Sequence, residues 1–193
     1  MQRTKYLSLV AVFAAASGAL TELHVMFPFP LLPFLEFDMA EIPDMVAFLL
    51  LGPEGGLLVT LIHCLLLYTL GAFTVFSPVM KFLAEASMYA GILIVRRLSS
   101  RTFALAAGAI SSRVIIMLFV NFALFYIIMP NIYLPTANLA MSILHLSGLS
   151  PVEIAMLLVG ITGLFNAIAG AITFGVGYPI ARKLSSALAP ALR

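Results

Sequence analysis

The sequence predicts an all-α integral membrane protein with six transmembrane helices, and three observations lead to that prediction. Of its 193 residues, 63% are hydrophobic and only 9% are charged, with a mean hydropathy of +1.14. A soluble domain carries about 25% charged residues. Long apolar runs are interrupted by Pro, Gly and charge, as expected of helices that need about 20 apolar residues to cross a bilayer. Most Lys and Arg residues lie at the ends of these runs.

We predict one membrane domain over residues 1–193, with spans at residues 6–26, 39–51, 53–73, 78–95, 102–129 and 151–181. The second apolar run is short, because it has only ten residues, Ile42 to Leu51, before the Gly52-Pro53 pair. It becomes a crossing only if its helix begins near Met39. The preceding PFPLLP segment, residues 28–33, cannot continue a helix and is predicted to form an extended loop.

The basic residues orient the six predicted helices. Eight of the ten Lys and Arg residues fall on one face, which the positive-inside rule assigns to the cytoplasm. Both termini are then cytoplasmic, in a multi-pass protein of the cell membrane. The eight are Arg3, Lys5, Arg96, Arg97, Arg101, Arg182, Lys183 and Arg193. The basic start and small residues of the first run are also typical of a cleaved signal peptide.

Acidic residues gather at one place in the chain. Glu36, Asp38, Glu41 and Asp44 fall within nine residues of the first outer loop and the start of the second helix. Acids favour a helix N-terminus and Pro suits its first turn, so Asp38 and Glu41 are predicted to set the entry into that helix.

Polar residues at membrane depth are costly and demand a partner or a role. Lys81 and Glu85 lie one helical turn apart, so they either pair with each other or contact a ligand. Asn121 and Asn166 either join helices by hydrogen bonds or contact a ligand. Arg113 is predicted to have a structural role, by reaching the cytoplasmic interface or by pairing with an acid such as Glu54.

The first helix carries small residues at a spacing of four, Ala11, Ala15 and Ala19. Such a row lets another helix approach closely. The row either packs inside the bundle or forms a docking face for a partner subunit.

Several functions have no support in the sequence. It contains no nucleotide-binding P-loop and no hydrolase or metalloprotease motif. His63, Cys64 and His145 lack metal-site spacing, and the scattered basic residues do not predict nucleic-acid binding. No metal and no cofactor is predicted.

The most distinctive stretch of the sequence is PFLEFDMAEIPDMVAFLLLGPEGGLLVTLIHCLLL at residues 33–67. It contains a Pro-rich loop, an acidic element ending in Pro, a short helix and Gly-Pro-x-x-Gly. Weaker signals come from FLAEAS (82–87), MLFVNFALFYIIMPNIY (117–133) and GLFNAIAG (163–170). With these motifs the chain resembles, over residues 9–184, the S components of energy-coupling factor (ECF) vitamin transporters, the riboflavin-specific group above all.

The resemblance implies six helices with cytoplasmic termini, an uncleaved N-terminus, and a vitamin site near the outer surface. It implies that Ala11, Ala15 and Ala19 dock a transmembrane T subunit, which works with two ABC-type ATPases. The chain itself is then not an enzyme. The substrate-binding residues that we predict are Phe34, Leu35, Lys81, Glu85, Asn121, Tyr126, Tyr133 and Asn166.

The chain departs from riboflavin-type sequences at Ile62-His63-Cys64, at Lys81 and at Ala169, where they carry Ile-Lys-Asn, Asn and Lys respectively. Riboflavin is the predicted ligand, and thiamine or a pyridoxine-like vitamin is the alternative. An intramembrane enzyme that uses Glu85, His63 or Arg113, and a scaffold for other membrane proteins, are more distant alternatives.

Overall fold

A computed structural model describes residues 3–70 and 74–192. Five long helices lie within these residues, namely α1 (Arg3–Glu22), α2 (Glu41–Leu70), α3 (Ser77–Arg96), α4 (Thr102–Phe122) and α7 (Pro151–Leu192). A hairpin of β1 (Met26–Phe29) and β2 (Leu32–Asp38) joins α1 to α2. A π-helical segment (Ala123–Ile128) continues α4. It is followed by α5 (Pro130–Tyr133), a 3-10 turn (Leu134–Thr136) and α6 (Ala137–Ile143).

The α2 element consists of two helical arms that run antiparallel. Gly52 has φ 84° and ψ −175°, a backbone conformation essentially restricted to glycine. A Cβ atom on Gly56 would lie only 2.6 Å from the Cα atom of Phe48, although eight residues of straight helix would separate them by about 12 Å. The chain therefore reverses at Gly52, and the arms 41–51 and 53–70 count as two helices.

The resulting six helices alternate in direction, which confirms the predicted fold class. At one end of the bundle the Tyr6 hydroxyl lies 3.2 Å from a Cβ position on Gly55, which follows the reversal. The Thr102 hydroxyl at the start of α4 donates to the Tyr178 hydroxyl at 3.2 Å. This is the end that carries the predicted cytoplasmic basic residues. The β-hairpin occupies the opposite, outer end.

The predicted extended loop at residues 28–33 lies largely within the β-hairpin. β1 and β2 pair antiparallel, with Met26 opposite Asp38 and Pro28 opposite Glu36. A two-stranded sheet consists of edges, where proline is tolerated because its missing N–H faces away from the ladder. Phe29 and Leu32 are 5% and 0% exposed, so the two residues that flank the turn of the hairpin are buried in the bundle.

The helix ends differ from the predicted spans in several places. α1 ends at Glu22, whereas α7 continues to Leu192, beyond the span predicted to end at residue 181. The predicted outer loop after the fifth span contains the short helices α5 and α6. Residues 71–73, the predicted end of the third span, lie outside the described residues.

A close contact between α3 and α4 fixes the two helices that carry most of the buried polar groups. A Cβ atom on Gly91 would lie 2.2 Å from the carbonyl oxygen of Gly108. Only glycine permits this approach, which resembles the small-residue contacts of other membrane helices. The contact sets the height of Lys81 and Glu85 on α3 relative to Arg113 and Asn121 on α4.

Candidate functional site

A cavity of about 380 Å³ lies at the outer end of the bundle, beneath the β-hairpin. Its walls come from α1, both strands of the hairpin, α2, α3, α4 with its π-helical continuation, α5 and α7. The volume falls within the range of about 300–1,000 Å³ that is usual for small-molecule sites. A mostly apolar wall with a few polar groups is also typical of such sites.

Three aromatic rings from three different elements form one wall of the cavity. Phe34 of β2 lies 5.7 Å from Tyr133 of α5 and 6.5 Å from Phe125 of the π-helical segment, measured between ring centroids. Phe125 and Tyr133 are 4.8 Å apart. The Tyr133 hydroxyl is 3.0 Å from the Thr74 hydroxyl, which holds the ring in place. These rings offer an apolar surface to a flat ligand.

A buried ion pair lies at the floor of the cavity. Arg113 donates to both carboxylate oxygens of Glu41, at 2.6 Å and 3.1 Å. Its Nε donates to the amide oxygen of Asn166 at 3.0 Å, and the Thr173 hydroxyl donates to Glu41 at 2.9 Å. Arg113 is 2% exposed. Removing either charge would leave the other buried and uncompensated, which costs about 3–5 kcal/mol.

A second ion pair connects the hairpin to α3. Lys81 donates to a carboxylate oxygen of Asp38, at the end of β2. The side chains are 15% and 9% exposed, so this pair is more accessible than the first. Asp38 also accepts a hydrogen bond from the backbone N–H of Ala40 at 2.8 Å. Asp38 therefore shapes the entry into α2, as predicted, and also ties the hairpin over the cavity.

The two asparagines of the cavity differ in their engagement. Asn166 uses both of its polar atoms, because its Nδ2 donates to the Thr162 carbonyl oxygen at 2.8 Å while its Oδ1 accepts from Arg113. Asn121 donates through Nδ2 to the Thr162 hydroxyl at 3.2 Å. No donor among the described residues reaches the Asn121 amide oxygen at hydrogen-bond distance. Asn121 is therefore the amide with more capacity for a ligand.

Six of the eight predicted substrate-binding residues line the cavity, and two do not. Glu85 is 1% exposed but lies behind the cavity wall, and Tyr126 is 37% exposed and stacks near Phe122 at 5.5 Å. Whether any of the six contacts a ligand stays a prediction. They are Phe34, Leu35, Lys81, Asn121, Tyr133 and Asn166.

Two ion pairs that the sequence left open as alternatives do not form. Lys81 pairs with Asp38 across to the hairpin rather than with Glu85 one turn away. Arg113 pairs with Glu41, whereas Glu54 is exposed beside the reversal at Gly52. The hairpin folds back onto the bundle and brings Asp38 and Glu41 to the two bases. Helical periodicity in the sequence does not predict this path of the loop.

The predicted site omitted four charged residues that line the cavity, Glu36, Asp38, Glu41 and Arg113. The available signal was the position of Arg113 in the middle of a long apolar span, since charges at membrane depth commonly mark a functional site. Two bases at membrane depth, Lys81 and Arg113, require two acidic partners. The acid-rich stretch at residues 36–44 is the obvious source of such partners in the sequence.

The small-residue row of α1 faces away from the bundle. Ala11, Ala15 and Ala19 are exposed, whereas Ala14 and Ser17 on the other face are buried. Internal packing is therefore not the role of this row. Docking of a partner subunit stays a prediction.

Comparison with known proteins supports the resemblance noted in the sequence, although no protein-family profile matches the chain. The chain is 27% identical over 160 residues to the riboflavin transporter RibU of Staphylococcus aureus (strain TCH60), covering 80% of this chain and 83% of that protein. It also resembles a solved S component of a bacterial ECF transporter, with a TM-score of 0.69 and 26% identity. That likeness covers 97% of this chain and 99% of the other. This multi-pass protein of the plasma membrane is therefore similar, in sequence and in fold, to the S components of ECF transporters.

Proposed function

We propose that this chain captures riboflavin at the outer face of the membrane and delivers it inward as the substrate-binding subunit of an ECF importer. The cavity beneath the hairpin carries the proposal, because it combines an aromatic wall with a polar floor. The likeness to a protein named as a riboflavin transporter supports the choice of vitamin.

The chemistry of riboflavin matches the walls of the cavity. Its flat three-ring system fits the apolar surface of Phe34, Phe125 and Tyr133. Its uracil-like edge presents donors and acceptors, for which the free amide oxygen of Asn121 is a partner. Its hydroxylated chain suits the polar groups of Lys81 and Asp38 beneath the hairpin.

Both cations of the cavity are already matched by acids, so the site suits an uncharged ligand such as riboflavin. Lys81 is paired with Asp38 and Arg113 with Glu41. An anionic ligand would have to displace one of these carboxylates and leave it buried without a partner, which is costly.

The transport step requires other subunits. We propose a T subunit docked on the exposed Ala11, Ala15 and Ala19 row, with two ABC-type ATPases that hydrolyse ATP. The sequence carries no P-loop, and both named relatives are transport proteins. We assign no reaction to the chain itself, and riboflavin is its cargo rather than a cofactor.

One observation favours a second vitamin. Three carboxylates line the cavity, Glu36, Asp38 and Glu41, against two permanently charged bases. An excess of negative charge favours a cationic ligand, and thiamine is a cationic heterocyclic vitamin of suitable size.

A fluorescence titration of the purified protein in detergent tests the proposal. Riboflavin fluorescence should be quenched in proportion to the protein added, and an excess of thiamine should not restore it. Asn121→Leu should weaken riboflavin binding by about tenfold or more, because the buried ligand would lose a polar partner worth about 1–3 kcal/mol. Asn138→Leu changes an exposed asparagine away from the cavity and is the matched control. Stabilisation by thiamine without quenching of riboflavin would replace the proposed ligand.

A further inference from the structure

A second polar cluster lies behind the cavity wall. It joins Asp44 on the first arm of α2, His63 on the second arm and Glu85 on α3, which are 0%, 1% and 1% exposed. One ligand atom from each residue lies within 4.8 Å of the others. His63 Nδ1 is 2.6 Å from Asp44 Oδ2.

The hydrogen bonds around His63 favour a proton on Nε2. The Thr21 hydroxyl is 3.1 Å from the Ser17 carbonyl oxygen and 2.9 Å from His63 Nε2. A carbonyl oxygen only accepts, so the single hydroxyl proton of Thr21 goes to Ser17. Thr21 must then accept from an Nε2–H group. In a neutral imidazole this leaves Nδ1 with a lone pair that faces the Asp44 carboxylate.

One carboxylate oxygen of Glu85 is a second atom without a donor among the described residues. Glu85 Oε2 accepts from the Tyr89 hydroxyl at 3.3 Å and lies 3.5 Å from the Thr60 hydroxyl. Glu85 Oε1 is buried and has no hydrogen-bond partner among residues 3–70 and 74–192. Buried polar atoms without partners are rare in folded proteins and require an explanation.

The balance of charge in the cluster also indicates a missing cation. The cluster holds two carboxylates, and the neighbouring bases Lys81 and Arg113 are engaged with Asp38 and Glu41. A buried carboxylate without compensation is unstable in a medium of low polarity. The cluster therefore lacks positive charge at the point where Nδ1 and the carboxylate oxygens converge.

We propose that Asp44, His63 and Glu85 bind one divalent transition-metal cation of the Zn²⁺ type. One imidazole nitrogen and two carboxylate oxygens are donors that Zn²⁺ accepts, whereas Mg²⁺ and Ca²⁺ prefer oxygen alone. Ligand atoms around a tetrahedral Zn²⁺ are separated by roughly 3.3 Å. The observed separations, from 2.6 Å to at most 4.8 Å, bracket that value.

Hydroxyl groups support each of the three side chains from behind. Ser17 donates to Asp44 Oδ1, Thr21 holds His63 Nε2, and Tyr89 donates to Glu85 Oε2. Outer hydrogen bonds of this kind orient the ligands of protein metal sites. A cation here would clamp both arms of α2 to α3, directly behind the cavity-lining residues Thr21 and Ala84.

Metal content of the wild-type protein is the primary test. The chain is purified with a tag that binds no metal, stripped with a chelator, dialysed and titrated with Zn²⁺. Bound zinc is measured by mass spectrometry, and thermal unfolding is followed in the same samples. We expect one tightly bound Zn²⁺ per chain and a higher melting temperature. Less than about 0.1 Zn²⁺ per chain with an unchanged melting temperature would overturn the proposal and assign the missing charge to protons on His63 and Glu85.

Variants locate the bound metal. His63→Gln and Glu85→Gln should each weaken Zn²⁺ binding by more than about 100-fold, and Ser17→Ala by about 10- to 100-fold. His145→Gln and Glu54→Gln change exposed residues of the same types and should bind Zn²⁺ as wild type does. Full zinc binding by His63→Gln and Glu85→Gln would overturn the assignment. If those two variants fail to fold, the wild-type titration and Ser17→Ala still decide. Riboflavin binding, measured in parallel, reports separately on the proposed function.

Discussion

Two layers of buried charge lie side by side in the outer half of the bundle, and they differ in how their charges are compensated. The paired layer contains Asp38, Lys81, Glu41 and Arg113, in which each carboxylate meets one cation. The unpaired layer contains Asp44, His63 and Glu85, in which two carboxylates share one imidazole. Asp38, Glu41 and Asp44 are only three residues apart in the chain, yet they divide between the two layers.

The difference between the layers shows that the role of a buried acid depends on whether a cation is paired with it. In the paired layer, charge and hydrogen bonds are complete, so these residues can shape a cavity and hold the hairpin over it. In the unpaired layer, Glu85 Oε1 has no partner among the described residues. Removing a carboxylate should therefore have opposite consequences for stability in the two layers.

The largest effect is expected at the centre of the paired layer. Glu41→Ala should lower the free energy of unfolding by about 3–5 kcal/mol, because Arg113 would stay buried without a counter-charge. The double variant Glu41→Met with Arg113→Met should recover most of this loss, since neither charge remains. Chemical unfolding of the three proteins in detergent measures the difference. A double variant as unstable as Glu41→Ala would show that the pair does not act as a unit.

A smaller effect is expected at the accessible edge of the paired layer. Asp38→Asn should lower stability by about 1–3 kcal/mol, and toward the lower end because Lys81 keeps 15% of its side chain exposed and retains some hydration. The same change should loosen the hairpin and speed the release of bound riboflavin. Glu22→Gln removes an exposed carboxylate next to the hairpin that does not line the cavity, and it is the control. Equal effects of the two substitutions would point to general charge at the outer end of the bundle instead of the ion pair.

The unpaired layer should respond with the opposite sign. With a chelator present, Glu85→Gln should raise the free energy of unfolding by about 1 kcal/mol, because it replaces an uncompensated carboxylate with a neutral amide of the same shape. With Zn²⁺ present, the same variant should lose the stabilisation that wild type gains. Unfolding curves under the two conditions test both signs. A loss of several kcal/mol in the chelator would mean that Glu85 is already fully compensated, as Glu41 is.

The sequence predicts the number and orientation of the helices, but it does not predict how the buried charges divide between the two layers. Hydrophobic runs and the positions of Lys and Arg determine six helices and their orientation, because the bilayer imposes length and the translocation machinery imposes charge. The break at Gly52-Pro53 is also visible in the sequence. The reversal there is not, because a kink and a hairpin share the same residues.

Partner assignments depended on the path of the hairpin. Local rules favoured Lys81 with Glu85 at one helical turn, but the inward hairpin brings Asp38 and Glu41 to membrane depth, where they compete successfully for the two cations. Glu85 is then displaced from the cavity toward Asp44 and His63. The cluster of Asp44, His63 and Glu85 has no motif in the sequence because its members come from three helical segments.

The smallest effect on the chain itself is expected on α1, far from both layers. Ala15 is exposed in the middle of the small-residue row, so Ala15→Leu should leave unfolding and riboflavin binding unchanged. In a complex, the larger side chain would hold the partner helix away. Overpacking typically costs about 1–3 kcal/mol, so association with the T subunit should weaken by roughly tenfold. Val12→Leu adds a methylene at an exposed residue outside the row, and it should not change the amount of T subunit that co-purifies. If Ala15→Leu assembles as well as Val12→Leu does, the row faces lipid, and the partner must dock on another surface.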